Sequence, residues 1–115
     1  MPITKVLAVA PVRDLDAAIT WYTSLLGRGP DARPMDSLAD WHVNEGAWVQ
    51  VFHDPGRAGH TALNFAVEDL AAERTVLAGR GIGLGEEVVT DKGARLASVD
   101  DPSGNTVTLI ENPSV

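Results

Sequence analysis

Apolar residues follow two periods along this chain, two and 3.6, and the order in which the periods appear repeats. Residues 3 to 10 and 60 to 67, rich in Val, Leu, Ala and Phe, each predict a strand. A helical stripe follows each strand. In the first, Leu15, Ala18, Ile19, Tyr22 and Leu26 recur at helix spacing, Asp14 stands at the N-cap and Gly27 at the stop. In the second, Asp69 caps, Leu70 and Leu77 repeat the spacing of Leu15 and Tyr22, and Gly79 and Gly81 end it. Glu73 and Arg74 make that stripe narrower, and Gly79-Arg80-Gly81-Ile82-Gly83 reads as a helix stop, since a phosphate loop would precede a helix. Further strands are predicted at 33 to 37, 39 to 43 and 47 to 53 after the first helix, and at 85 to 90, 94 to 100 and 105 to 111 after the second. Turns at Asn44-Glu45-Gly46, Asp91-Lys92-Gly93 and Asp101-Pro102-Ser103-Gly104 separate them.

The two series are copies of one unit. Val12-Arg13-Asp14-Leu15 is echoed 55 residues later by Val67-Glu68-Asp69-Leu70, and Gly46 and Gly104 hold equivalent turns 58 apart. Each copy reads βαβββ, with module one at about 1–56 and module two at about 60–115 of a single domain, 1–115. Asp54-Pro55-Gly56-Arg57-Ala58-Gly59 reads as a flexible linker that permits pairing within a chain or exchange between chains. Neither half alone could bury its sheet face well. The plainer reading is an ordinary α+β domain with a chance echo, and the matched turn glycines weigh against it.

Composition narrows the function. With 115 residues, 44% of them hydrophobic, the chain has room for one domain with a real core, and the absence of Cys removes disulfides, zinc fingers and thiol catalysis. A net charge of −7 with scattered basic residues argues against nucleic acid. No apolar run approaches membrane-spanning length and MPITKV lacks the regions of a signal peptide, so no membrane partner and a cytoplasmic location are expected.

Val12-Arg13-Asp14-Leu15-Asp16-Ala17-Ala18, then Trp21-Tyr22 and Leu25-Leu26-Gly27, resemble the opening signature of the vicinal oxygen chelate superfamily, which groups glyoxalase I, bleomycin-resistance proteins, extradiol dioxygenases and fosfomycin-resistance enzymes. Asp101-Pro102-Ser103-Gly104-Asn105-Thr106-Val107-Thr108-Leu109-Ile110-Glu111 resembles its last turn and strand. The resemblance implies an α+β fold in which two βαβββ modules form a curled mixed sheet around a cavity, commonly completed by a homodimer. It also implies, for the enzymes, one divalent metal held by the first and last strands of each module. Those positions fall here on Leu7, Gln50, Ala62 and Thr108. Leu and Ala cannot coordinate, Thr is a poor ligand, and only Gln50 keeps an oxygen acceptor, so no metal and no other cofactor are expected.

Strand alternation assigns the faces independently. Val49, Val51, Leu63, Phe65, Val67, Val107 and Leu109 should meet the helices. Trp48, Gln50, Phe52, Ala62, Asn64, Thr106 and Thr108 should line the cavity, with His60 at its rim, and the resemblance adds Leu7 to them. Trp48 and Phe52 could stack on a planar ligand while Gln50, Asn64 and Thr108 orient it, or these side chains could simply fill the curl of the sheet. His60 reads as a ligand contact or proton carrier, or as a solvated strand end; His42 and His53 read as surface. The expected function is metal-free binding of a small, planar or aromatic organic molecule. Two alternatives stay open: a glyoxalase- or dioxygenase-like enzyme using an unrecognised metal or His60 as acid and base, and a structural dimer with a vestigial cavity.

Overall fold

Residues Leu15–Leu26 form α1 and Leu70–Gly79 form α2, and both begin as the sequence predicts. Asp14 accepts from the Ala17 backbone N–H at 3.1 Å and Asp69 from that of Ala72 at 3.0 Å, so each carboxylate satisfies an otherwise unpaired donor of the first turn. Gly27 ends α1 in the left-handed region, at φ 80°, which a side chain resists. Arg80 stands at the end of α2, and Gly81 takes the positive φ one residue later. The Arg80 guanidinium also reaches the Ser24 carbonyl at 3.3 Å, bringing a cation to the C-terminus of α1, whose own last turn has no basic residue.

The computed structural model describes residues 1–113. Strands β1 (Val6–Val12), β2 (Ala32–Met35), β3 (Leu38–Asn44) and β4 (Ala47–His53) form sheet one in the order β1-β4-β3-β2. Strands β5 (Ala62–Ala66), β6 (Val88–Val89), β7 (Arg95–Asp100) and β8 (Thr106–Glu111) form sheet two in the order β5-β8-β7-β6. In each sheet the first strand runs parallel to the last and the other pairs are antiparallel. The two halves therefore share one topology, and the fold is α+β and built from βαβββ repeats. None of the helices among the described residues is long and apolar enough to cross a membrane.

Several strand boundaries depart from the sequence reading. The first strand, expected at 3 to 10, runs from Val6 to Val12 because its length is set by β4, with Val6 opposite Ala47 and Val12 opposite His53. The strand expected at 60 to 67 begins at Ala62, since Asn105 holds the Gly59 and Thr61 backbone N–H groups at 3.1 and 3.0 Å and keeps that segment out of the ladder. The strand expected at 85 to 90 shrinks to Val88–Val89: Arg74 donates to the carbonyls of Leu84 and Gly85. The strand expected at 33 to 37 is Ala32–Met35, with an irregular register against β3.

One core joins the two halves. Val12, Ala18, Tyr22, Trp41, Val49 and Val51 pack in the same cluster as Leu63, Leu70, Leu77 and Val107, as strand alternation predicts for the helix-facing positions. Polar groups cross the same seam. The buried Asp101 carboxylate accepts from the Tyr22 hydroxyl, from the Ser103 and Asn105 backbone and from the Asn105 amide. Asn105 also donates to the Pro11 carbonyl at 2.7 Å, and Arg13 donates to the carbonyls of Ser103 and Ala58. Residues 54 to 59, expected to be a flexible linker, are thus tied to both halves.

Candidate functional site

The face of sheet one turned away from α1 is built as three rungs, each of three side chains in register. Leu7, Trp48 and His42 form the first, Val9, Gln50 and Asp40 the second, and Pro11, Phe52 and Leu38 the third. Cross-strand partners share a face, so β4 presents Trp48, Gln50 and Phe52 here while its Val49 and Val51 are buried beneath α1. His42, which reads as a surface residue in the sequence, stacks on Trp48 with centroids 3.6 Å apart and planes 18° from parallel. Its enclosed Nε2 has no hydrogen-bond partner among the described residues. Lys5 places its Nζ 3.6 Å from the centroid of the Trp48 ring, a cation–π contact. The indole is therefore already engaged by the chain itself.

The middle rung is polar. Gln50 Nε2 donates to Asp40 Oδ1 at 3.1 Å, and Asp40 is only 3% exposed. Sequence reading passed over Asp40 and Lys5. Asp40 was within reach of pattern reasoning, because Ala39 and Trp41 alternate with it and point into the core, and the turn at Asn44–Gly46 fixes which β4 residue it meets.

Sheet two repeats the arrangement with smaller side chains: Ala62, Thr106 and Asp100, then Asn64, Thr108 and Ser98, then Ala66, Ile110 and Leu96. Thr106 Oγ1 donates to Asp100 Oδ1 at 3.1 Å, and the hydroxyls of Ser98 and Thr108 lie 2.7 Å apart. Ala62 and Asn64 are exposed. His60 lies outside β5, exposed, two residues before the strand begins. Leu7, Trp48, Gln50 and Phe52 thus stand on one sheet, and Ala62, Asn64, Thr106 and Thr108 on the other. Where the sheets adjoin, a cavity of about 540 Å³ is lined by Val6, Ala8, Leu26, Trp48, Asn64 and Phe65 among others, and brings together two of the candidates. A more open, charged groove of about 590 Å³ beside the start of α1, lined by Arg13, Asp14, Arg33 and His53 among others, contains none of them.

A family model described as the Glyoxalase/Bleomycin resistance protein/Dioxygenase superfamily matches residues 6–109. The chain belongs to that superfamily. Among solved structures of the superfamily's fold, a glyoxalase/bleomycin resistance protein from Catenulispora acidiphila is 32% identical, with a TM-score of 0.89 over 96% of this chain and 99% of the other. TnmS3, an antibiotic binding protein from Streptomyces sp. CB03234, is 24% identical, with a TM-score of 0.80 over 99% of each chain. A lactoylglutathione lyase from Agrobacterium tumefaciens is 19% identical, with a TM-score of 0.77 over 96% of this chain and 95% of the other. A comparison with curated proteins returned no match. The fold alone thus hosts both binding and catalysis, and the side chains must decide between them.

The positions at which superfamily enzymes are implied to hold their metal do not fit one here. Leu7 is an exposed aliphatic side chain next to Trp48, and Ala62 offers no donor. The Thr108 hydroxyl is engaged by Ser98, and Gln50, whose Nε2 donates to Asp40, keeps only its amide oxygen as a ligand atom, one neutral donor among the four positions. Among the described residues no group of three or more His, Cys, Asp or Glu side chains could hold a metal ion.

Proposed function

We propose that the chain is a small-molecule-binding protein that takes a planar or aromatic organic ligand on the open faces of its sheets, without a metal, as a cytoplasmic homodimer. The observation that carries this reading is the composition of the rungs. At the positions where a metal enzyme would need His and carboxylate donors, sheet one carries Leu7 and Gln50, and around them stand Trp48 on His42 and Phe52 beside Leu38. Flat surfaces with a few convergent polar groups favour binding and orientation over Lewis-acid chemistry.

Support for the dimer is twofold. Leu7 and Val9 on β1 are 45% and 40% exposed, and Ala62 and Ala66 on β5 are exposed as well, an apolar area that a second copy would cover. Both sheets also end in edge strands that a partner could shield. A second copy setting its sheet two opposite sheet one would place Asn64 and Thr108 across from Trp48 and Gln50.

The test is a thermal-shift panel of planar aromatic compounds, run with divalent metals and with a chelator. Binding to the native state at 100 times Kd raises stability by about 2.7 kcal/mol, so a ligand shows as a raised Tm that the chelator leaves intact. Stabilisation by metal alone, or turnover of a glyoxalase or dioxygenase substrate, would replace this reading with an enzymatic one.

A further inference from the structure

We propose that Asp40 anchors a positively charged group, so that the site takes planar organic cations in preference to neutral or anionic molecules of the same shape. The inference rests on the binding reading above and names its ligand class. It starts from an imbalance between two buried carboxylates. Asp101, 4% exposed, accepts four hydrogen bonds, from Tyr22, Ser103 and twice from Asn105, and its role in the fold is complete. Asp40, 3% exposed, receives one, from Gln50.

A carboxylate has about four acceptor sites and is rarely left short of partners when buried. None of the ion pairs among the described residues includes Asp40. It caps no helix and closes no turn, in contrast to Asp14, Asp69 and Asp101. On its own face it stands between the buried Leu38 and the half-buried His42, with Gln50 and then Val9 across the strands. A carboxylate set among such neighbours lowers stability unless something pairs with it, and the chain supplies only the Gln50 amide. Yet its second oxygen, Oδ2, is not completely sealed in: the one fully enclosed, partnerless side-chain polar atom among the described residues is Nε2 of His42. The unmet acceptor capacity of Asp40 therefore lies on Oδ2, which keeps a narrow opening on the face that Asp40 shares with Gln50, between the Trp48 and Phe52 rungs.

The neighbouring rung limits where such a cation can lie. On the adjacent rung the chain already sets a cation, Lys5 Nζ, 3.6 Å from the centre of the Trp48 ring. That lysine already engages the Trp48 ring and carries the ligand's own sign of charge, so the preference for a cation rests on Asp40. A flat cation lays its ring along the aromatic rungs and donates N–H groups to Asp40, a charge-assisted bond that neutral and anionic analogues cannot match.

The experiment titrates the full chain with three flat tricyclic probes, proflavine as the cation, acridone as the neutral molecule and acridine-9-carboxylate as the anion, at low salt and in about 0.5 M NaCl, where surface charge is screened and buried charge much less so. Wild type is expected to bind proflavine at least about tenfold more tightly than acridone at both salt concentrations. Asp40→Asn keeps an acceptor for Gln50; it should lose most of that preference, its proflavine affinity falling toward its own affinity for acridone. Equal affinities, a preference abolished by salt, or one that survives in a folded Asp40→Asn protein would overturn the assignment. The wild-type salt comparison stands even where the variant does not fold. Binding of none of the three probes would instead remove the planar-ligand reading, and this inference with it.

Discussion

The Tyr22 hydroxyl donates to the Asp101 carboxylate at 2.7 Å across 79 residues of chain, joining the helix of one module to the last turn of the other. Both residues are buried. Burial pushes the Tyr22 phenol well above its ordinary value of 10.0, and the hydrogen bond to Asp101 and the charge of that carboxylate push it further the same way. The neutral phenol is therefore part of the folded state.

This relationship predicts an alkaline weakness. Because the folded value is raised, the contribution is fully present below pH 10 and is lost above it, as the unfolded chain gains stability by ionising its phenol. Stability should fall above that pH with a slope approaching about 1.4 kcal/mol per unit from this residue. Tyr22 is the only tyrosine, so tyrosinate absorbance follows it alone. Native protein should show no tyrosinate until it unfolds, and titration of the folded protein near pH 10 would contradict the burial.

Removing either partner is expected to cost stability unequally. Tyr22→Phe deletes one donor and should lower the unfolding free energy by about 1 to 2 kcal/mol, whereas Asp101→Ala strands Tyr22, Asn105 and two backbone N–H groups and should cost more than about 3 kcal/mol. Urea denaturation of both variants gives the comparison, and equal losses would count against the network.

Gly59 is the glycine the fold can least replace. Its φ is +86°, and a Cβ there would sit 2.5 Å from the Ser103 carbonyl oxygen, a backbone atom that cannot swing away. Gly59→Ala should destabilise by more than about 1 kcal/mol. Gly81→Ala shares the positive φ, at +82°, but faces open space, and should be the milder change in the same denaturation assay.

Ligand binding should depend on Trp48 and not on Trp21. Trp48→Ala is expected to cost about 1 to 3 kcal/mol of binding to a planar probe, the scale of a buried aromatic anchor. Trp21 sits on α1 against Tyr22, with centroids 4.9 Å apart, so Trp21→Phe serves as the control. Equal effects in calorimetric titrations would show that the open face of sheet one is not where the probe lies.

A designed metal site tests how two copies meet. Leu7 and Gln50 are diagonal neighbours on sheet one, as are Ala62 and Thr108 on sheet two. The variant carrying Leu7→His, Gln50→Glu, Ala62→His and Thr108→Glu should bind Ni, Co or Zn more tightly at higher pH, where both imidazoles are neutral, and sediment as a dimer when loaded. A folded variant that ignores all three metals would mean that the two faces do not oppose each other.

Much of this fold was written in local signals. Asp14 and Asp69 mark helix starts because a carboxylate caps a first turn wherever it stands, and Val49 and Val51 declare their face by alternation alone. What escaped was set by partners distant in sequence. The first strand starts at Val6 because β4 starts at Ala47, and His42 leaves the surface because the register of β3 lays it on Trp48. His60 follows Gly59 and precedes Thr61, the two residues pinned by Asn105, so a composition that reads as strand becomes a tether. The family signature named the positions of Gln50 and Thr108, and only the cross-strand bonds reveal what each is engaged with.

The strand order carries a consequence for how the molecule comes into being. Each sheet closes by pairing its first strand with its last, so β1 must wait for β4 and β5 for β8. During synthesis the first half can complete its own ladder while the second is still being made. Yet the partners that satisfy the Tyr22 hydroxyl and the Pro11 carbonyl, Asp101 and Asn105, emerge long after the first sheet is complete. A nascent chain stopped before them would hold a closed first sheet with two bare polar groups at its seam, a species open to pairing with the finished second half of a neighbouring chain. The order of emergence thus leaves the seam of the first half unsatisfied until the turn at Asp101–Asn105 has been made.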